Sequence, residues 1–199
     1  NHMTVPNLRH DALFALAARL GCIGVELRND LGRPLFEGDR PEDVAAQARA
    51  QGIRIIGLSQ VYPFNAWSDA IAAKVADLIA NAKACGAETI SLIPRNEGIG
   101  CGAEERIANL KVAVQEIAPM LKAADIVALI EPLGFQRSSL RSKAETIEVL
   151  EQLNVVPHFK LVHDTFHHHL AGGGPFFPDY TGLIHISGVT DKKLAVKAM

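Results

Sequence analysis

Short runs of Val, Ile and Leu alternate with segments of helical hydrophobic period along the whole chain, and the runs recur every roughly 30 to 38 residues, the length of a βαβ unit. This spacing constrains the fold more than any other feature. Residues 8–20 put Leu13, Leu16, Ala17 and Leu20 at helical positions and stop at Gly21, and 23–27 follow as a strand. Pro41–Ala50, with a proline suited to a first helical turn, leads past Gly52 to the buried run 53–58. The helix 67–85, closed by Gly86, precedes strand 89–93, and the helix 104–124, bent at Pro119, precedes strand 126–130. Ser142 and Glu145 form an S-x-x-E capping box in front of Ile147, Val149, Leu150 and Leu153. Residues 161–162 and 183–186 supply two more strands, and 1–3 reads as the tail of another, with a cloning remnant as the alternative.

Seven strand positions separated by helices, apolar on both faces, require a parallel sheet buried under helices. An open doubly wound sheet and a closed (β/α)8 TIM barrel both satisfy the pattern. The barrel typically takes about 250 residues, so a chain of 199 lacks about 50, the start of strand 1 and all of strand 8. No break in composition divides the chain, so a single α/β domain over residues 1–199, C-terminally incomplete, is expected.

The balance of 20 Lys+Arg against 22 Asp+Glu, net charge -2, offers no excess of positive charge to a nucleic-acid backbone. No apolar run approaches the roughly 18 residues that span a bilayer, and no leader pattern opens the chain. Cys22, Cys85 and Cys101 are odd in number and lack CxxC spacing, which excludes a disulfide framework and a structural zinc site and fits a reducing cytoplasm. Cys22 and Cys85, beside glycines at helix ends, are expected to be small buried fillers.

Polar residues with chemical potential recur at one place, the C-terminal ends of the apolar runs: Glu26 and Arg28, Ser59 and Gln60, Arg95 and Asn96, Glu131, Asp164 with His167, and His185. In either parallel architecture that edge binds ligands. Glu131 closes the run before Pro132 and Gly134, and a carboxylate buried there unpaired would cost several kcal/mol, so it calls for a cation. Asp164 and His185 close the next two runs. Two hard oxygen ligands and one nitrogen ligand on consecutive strand ends suit Mn²⁺, Mg²⁺, Co²⁺ or Zn²⁺; each residue could instead be satisfied in a hydrogen-bond network of its own. Of His167, His168 and His169 at most one can serve such a site, because neighbours on a helical turn diverge by about 100°. His167, three residues after Asp164, is the candidate, and His163 should face the outer helices in a structural role. The run 172–175, Gly-Gly-Gly-Pro, matches no phosphate-loop pattern, and no G-x-S-x-G elbow appears.

At these residues the chain resembles the xylose-isomerase-like TIM-barrel superfamily of sugar and cyclitol isomerases and epimerases, which also contains apurinic endonucleases. The resemblance spans essentially the whole chain and is most specific at Ile130-Glu131-Pro132, Asp164-Thr165-Phe166-His167 and His185. Glu131-Pro132-Leu133-Gly134-Phe135 followed by Gln136-Arg137-Ser138 looks most like the inosose (2-keto-myo-inositol) isomerase group. It implies that Glu131, Asp164 and His185 bind one divalent metal and that His167 contacts substrate or a second ion. It also implies a fourth ligand, a glutamate ending an eighth strand, expected beyond Met199. The ketose 3-epimerases carry a glutamate where this chain has Arg137. The endonucleases carry histidines where it reads Leu58-Ser59-Gln60 and Leu92-Ile93-Pro94-Arg95.

The expectation is a metal-dependent isomerase or epimerase of a keto-polyol, inosose or ketose, working by proton transfer through an enediolate. Glu131 and His167 are the expected catalytic groups, and His167, Arg95 and Arg137 the expected substrate contacts. The partner is a small polyol or keto-sugar, with no nucleic acid and no membrane; a homodimer in the cytoplasm is compatible with the sequence. The alternatives are an endonuclease-like phosphodiester hydrolase and a catalytically inactive sugar-binding barrel.

Overall fold

The computed structural model describes residues 1–188; residues 189–199, the end of the expected single domain, lie outside the described residues. Six strands, β1 (Gly24–Arg28), β2 (Arg54–Val61), β3 (Thr89–Leu92), β4 (Val127–Ile130), β5 (Phe159–Asp164) and β6 (Thr181–His185), pair in parallel in chain order. A doubly wound sheet reverses its strand order part-way; this one does not. The edges of a flat six-stranded sheet would stand roughly 24 Å apart. Here Glu26 Oε2 on β1 lies 3.0 Å from His185 Nε2 on β6. The sheet is therefore curled into the wall of a TIM barrel.

The helices α1 (His10–Arg19), α2 (Pro41–Ala50), α3 (Asp69–Cys85), α4 (Ala103–Ala124), α5 (Lys143–Gln152) and α6 (Thr165–Leu170) alternate with the strands. Their ends follow local rules. Ser68 caps α3 by accepting from Ile71 N, and Gly86 ends it in the left-handed conformation. Ser142 Oγ accepts from Glu145 N at 3.2 Å, half of the expected capping box. The Glu145 side chain does not return the bond, because Arg106 holds it in a two-point ion pair. The helix α4 continues through Pro119. No helix among the described residues is long and apolar enough to cross a membrane.

Residues paired in register point to the same face of a sheet, and neighbours along a strand to opposite faces. Val25, Leu27, Ile90, Leu92, Ile130 and Leu161 face outward and join Val44, Leu78, Val114 and Leu150 of the helices in one buried cluster. Each such side chain contributes roughly 1.5–3 kcal/mol. The inward positions carry Glu26, Ser91, Glu131, Asp164 and His185, so the faces are both buried but not both apolar. On β6 the outer side is open among the described residues, with Ile184 59% exposed.

Two expectations are corrected. Residues 1–3 are not a strand tail: His2–Thr4 is a 3-10 turn, so the described strands number six rather than seven. Asn1 Oδ1 accepts from Met3 N at 2.8 Å and His2 Nε2 donates to Leu8 O at 2.8 Å, local bonds that outcompete extended backbone. Cys22 is exposed whereas Cys85 is buried. Gly21 takes φ +73° and turns the chain, leaving Leu20 and Ile23 in solvent on either side of Cys22.

Candidate metal centre

Glu131, Asp164 and His185 each bring one ligand atom to within 4.8 Å of the others, at the C-terminal ends of β4, β5 and β6. Glu131 follows β4 directly, and its N–H donates to Leu92 O at 3.2 Å, continuing the ladder before Pro132 ends it. Asp164 is held on both sides. As N-cap of α6 its Oδ1 accepts from His167 N at 2.9 Å, and Ser187 Oγ lies 3.1 and 2.9 Å from its two oxygens. One carboxylate thus starts a helix and fixes the direction of its own free lone pairs.

His185 stands between two carboxylates. Nε2 faces Glu26 Oε2 at 3.0 Å, and Nδ1 lies 3.6 Å from Glu131 Oε1, longer than a hydrogen bond and hence a Coulombic contact. Burial opposes a charge on this imidazole, but Glu131 and Glu26 outweigh it and raise His185 to about 10. Burial alone would push the Glu26 carboxyl up; His185, Arg28 and Ser91 outweigh that and hold it below the usual carboxylate range. Asn1 Nδ2 also donates to Glu26 Oε2, and Ser91 Oγ to Oε1 at 3.1 Å. Gly57, paired with Glu26, gives way to Thr89: a Cβ there would sit 2.7 Å from Thr89 Oγ1, whereas its 3.6 Å from Glu26 Cγ would be ordinary contact.

His167 approaches from α6, with Nε2 3.8 Å from Glu131 Oε1. Its ring meets Phe135 edge-on, at a centroid distance of 4.9 Å and 87°. Burial lowers its pKa despite the attraction of Glu131 and Asp164, so it is a neutral imidazole at neutral pH. The loop after β4 reaches this close through Gly134, where a Cβ would lie 2.3 Å from His167 O. Arg141 ties the same junction, donating to Gly134 O at 3.0 Å and Leu170 O at 3.3 Å.

The donor set fits a divalent ion. Glu26, Glu131 and Asp164 are only 2%, 8% and 7% exposed. Arg28 acts on Glu26 and Glu131 only at longer range and is itself bound to Asp30 at 2.6 Å, so among the described residues three buried carboxylates have a single imidazolium beside them. Such an excess calls for a cation. With Nε2 engaged by Glu26, the Nδ1 that faces Glu131 is the nitrogen open to a metal.

The model of the xylose isomerase-like TIM barrel family matches residues 14–195. The chain belongs to that family. A xylose isomerase domain containing protein from Salmonella typhimurium LT2 shares 32% identity and a TM-score of 0.86, over 97% of this chain and 71% of that one. Two further solved structures share the fold at lower identity. The IolI protein with a binding zinc atom is 16% identical, with a TM-score of 0.78 over 93% of this chain and 69% of that one. The D-psicose 3-epimerase with D-tagatose from Clostridium cellulolyticum H10 is 17% identical, with a TM-score of 0.76 over 91% and 68%. No curated protein matches the chain in sequence.

Within this xylose isomerase-like barrel the expected residues fall into two groups. Glu131, Asp164, His185 and His167 come together. Arg95 turns its guanidinium to Glu97, 3.5 Å away, and Arg137 is exposed in the β4–α5 loop, where its carbonyl accepts from Gly98 N at 2.9 Å. His163 points outward as expected, against Lys143, His168 and Phe176. Sequence reasoning placed Glu26 and Arg28 at a strand end without a role and gave none to Ser187 or Asn1. A carboxylate inside the apolar run Val25-Glu26-Leu27 was the available signal for Glu26.

Proposed function

We propose that this barrel is a divalent-metal-dependent isomerase or epimerase that moves a proton within a keto-polyol, inosose or ketose through an enediolate. The convergence of Glu131, Asp164 and His185 at the strand edge carries the reading. Family membership supports it, and the likeness of residues 131–138 to the inosose isomerase group favours an inosose. When bound, a divalent ion (Mn, Mg, Co or Zn) supplies Lewis-acid stabilisation of developing oxyanion charge.

The side chains divide the remaining work. Glu131 is the proposed base, a carboxylate whose Oε1 has two imidazoles as neighbours at 3.6 and 3.8 Å and, among the described residues, no closer cation. His167, neutral and held edge-on by Phe135, offers Nε2 to a substrate hydroxyl and can return a proton there. Glu26 fixes the His185 ring, and Ser187 with the α6 amide fixes Asp164. Arg95 and Arg137, in the loops that follow β3 and β4, are proposed as outer substrate contacts.

The test is metal analysis of the purified protein together with a Mn²⁺-supplemented screen of inososes and ketoses. One stoichiometric ion and isomerase turnover abolished by chelation are expected. Full turnover in metal-free protein would falsify the metal reading, and an inert protein holding no ion would favour the sugar-binding barrel.

A further inference from the structure

Beside the candidate metal centre a cleft of ≈ 490 Å³ opens between the β4–α5 loop and the segment after α6, a size that suits a small molecule. His167 lines it and separates it from Glu131. The cleft reverses the charge of its neighbour: Arg106, Arg141 and Lys143 face one carboxylate, Glu145.

That carboxylate is already taken. Arg106 Nε donates to Glu145 Oε2 at 2.9 Å, and Nη2 donates to Oε1. Arg141 spends its donors on neutral oxygens, the carbonyls of Gly134 and Leu170 and Gln136 Oε1. Lys143 Nζ lies 2.7 Å from His163 Nδ1 and 3.1 Å from His168 Nδ1, so the ammonium donates to two uncharged rings. Among the described residues neither Arg141 nor Lys143 has a carboxylate in ion-pair contact; Asp164 acts on Lys143 only at longer range. Two positive charges thus line a half-enclosed cleft without a counter-ion among the described residues, and hydrogen bonds to neutral groups satisfy their geometry but not their charge.

We propose that this cleft binds a phosphate group, a dianion matched to the two unpaired charges, with Lys143 as its direct contact and Arg141 holding the loop that shapes the wall. The assignment does not depend on the metal reading.

Calorimetric titration of the whole chain in chelator at pH 7.5, with inorganic phosphate and with glycerol 3-phosphate, tests it. Saturable one-to-one binding is expected, weakened about tenfold by Lys143→Gln and held within about threefold by Lys143→Arg. Tighter binding of glycerol 3-phosphate would assign a phosphate ester as occupant, and tighter binding of inorganic phosphate the free ion. NMR needs no variant: either ligand should shift the His163 and His168 imidazole resonances of the native chain. Absence of saturable binding, equal affinity in native protein and Lys143→Gln, or unmoved imidazole resonances would each overturn the proposal.

Discussion

His185 and His163 sit on paired strands, with His163 opposite Ile184 and His185 opposite Asp164. One points into the barrel and the other out of it. Inside, burial is outweighed by Glu131 and Glu26, and His185 is raised to about 10. Outside, burial and then Lys143 lower His163, and His168 beside it follows for the same two reasons. Adjacent register positions on β5 and β6 therefore place one imidazole among carboxylates and the other beside the ammonium of Lys143. The alternation of a β-strand decides which charge an imidazole meets, and with it whether the ring is a proton store or a neutral acceptor.

The sharpest way to break this contrast is to remove negative charge around His185. Glu131→Gln should lower the proposed isomerase activity more than about 100-fold, because it deletes the proposed ligand and base together. Measured at saturating metal, a restored rate would reduce Glu131 to a ligand alone. Glu26→Gln touches only the ring's outer nitrogen and should cost about 10- to 100-fold in metal affinity. An unchanged affinity, read by competition with a chromophoric chelator, would show that His185 needs no carboxylate to orient it.

Proton linkage gives a smaller effect of fixed sign. His185 has a folded value of about 10 against an ordinary 6.5, so its contribution to stability in metal-free protein is fully present below pH 6.5. It is lost as pH rises through about 10. Urea unfolding in chelator should therefore show stability falling over that window, and Glu26→Gln should flatten the fall. Over the same range apparent metal affinity should rise with pH, since the ion competes with the proton for the ring.

The smallest change lies on the other side of the wall. Lys143→Met removes the cation beside His163 and His168, and both should titrate at higher pH than in the native chain, as followed by NMR. Duplex DNA with abasic sites probes the whole surface: at net charge -2 it should be neither bound at physiological salt nor cut.

The sequence made the βα order legible because period and punctuation agreed at most elements. Pro41–Ala50 has its helix-starting proline and a glycine after its end, and Ser142 announces α5. Strand β5 extends well beyond residues 161–162, because Lys160 and His163 interrupt its apolar run while their backbones remain in the ladder. The candidate triad was legible because each member closes a strand. Glu26 was not assigned because its partner lies 159 residues away in the chain, and no local pattern encodes a contact made by curling the sheet. Whether 1–3 would be strand or turn depended on an Asn side chain finding a backbone amide two residues on, a competition invisible to periodicity.

The contact between Glu26 and His185 also has a kinetic meaning. It joins the first strand to the sixth across 159 residues of chain, and closing so long a loop costs entropy that delays such contacts in a nonlocal topology. The imidazole that a metal would use is oriented by this contact. Ion uptake during refolding would then report completion of the wall itself, lagging behind the appearance of helix and arriving with the burial of Glu26.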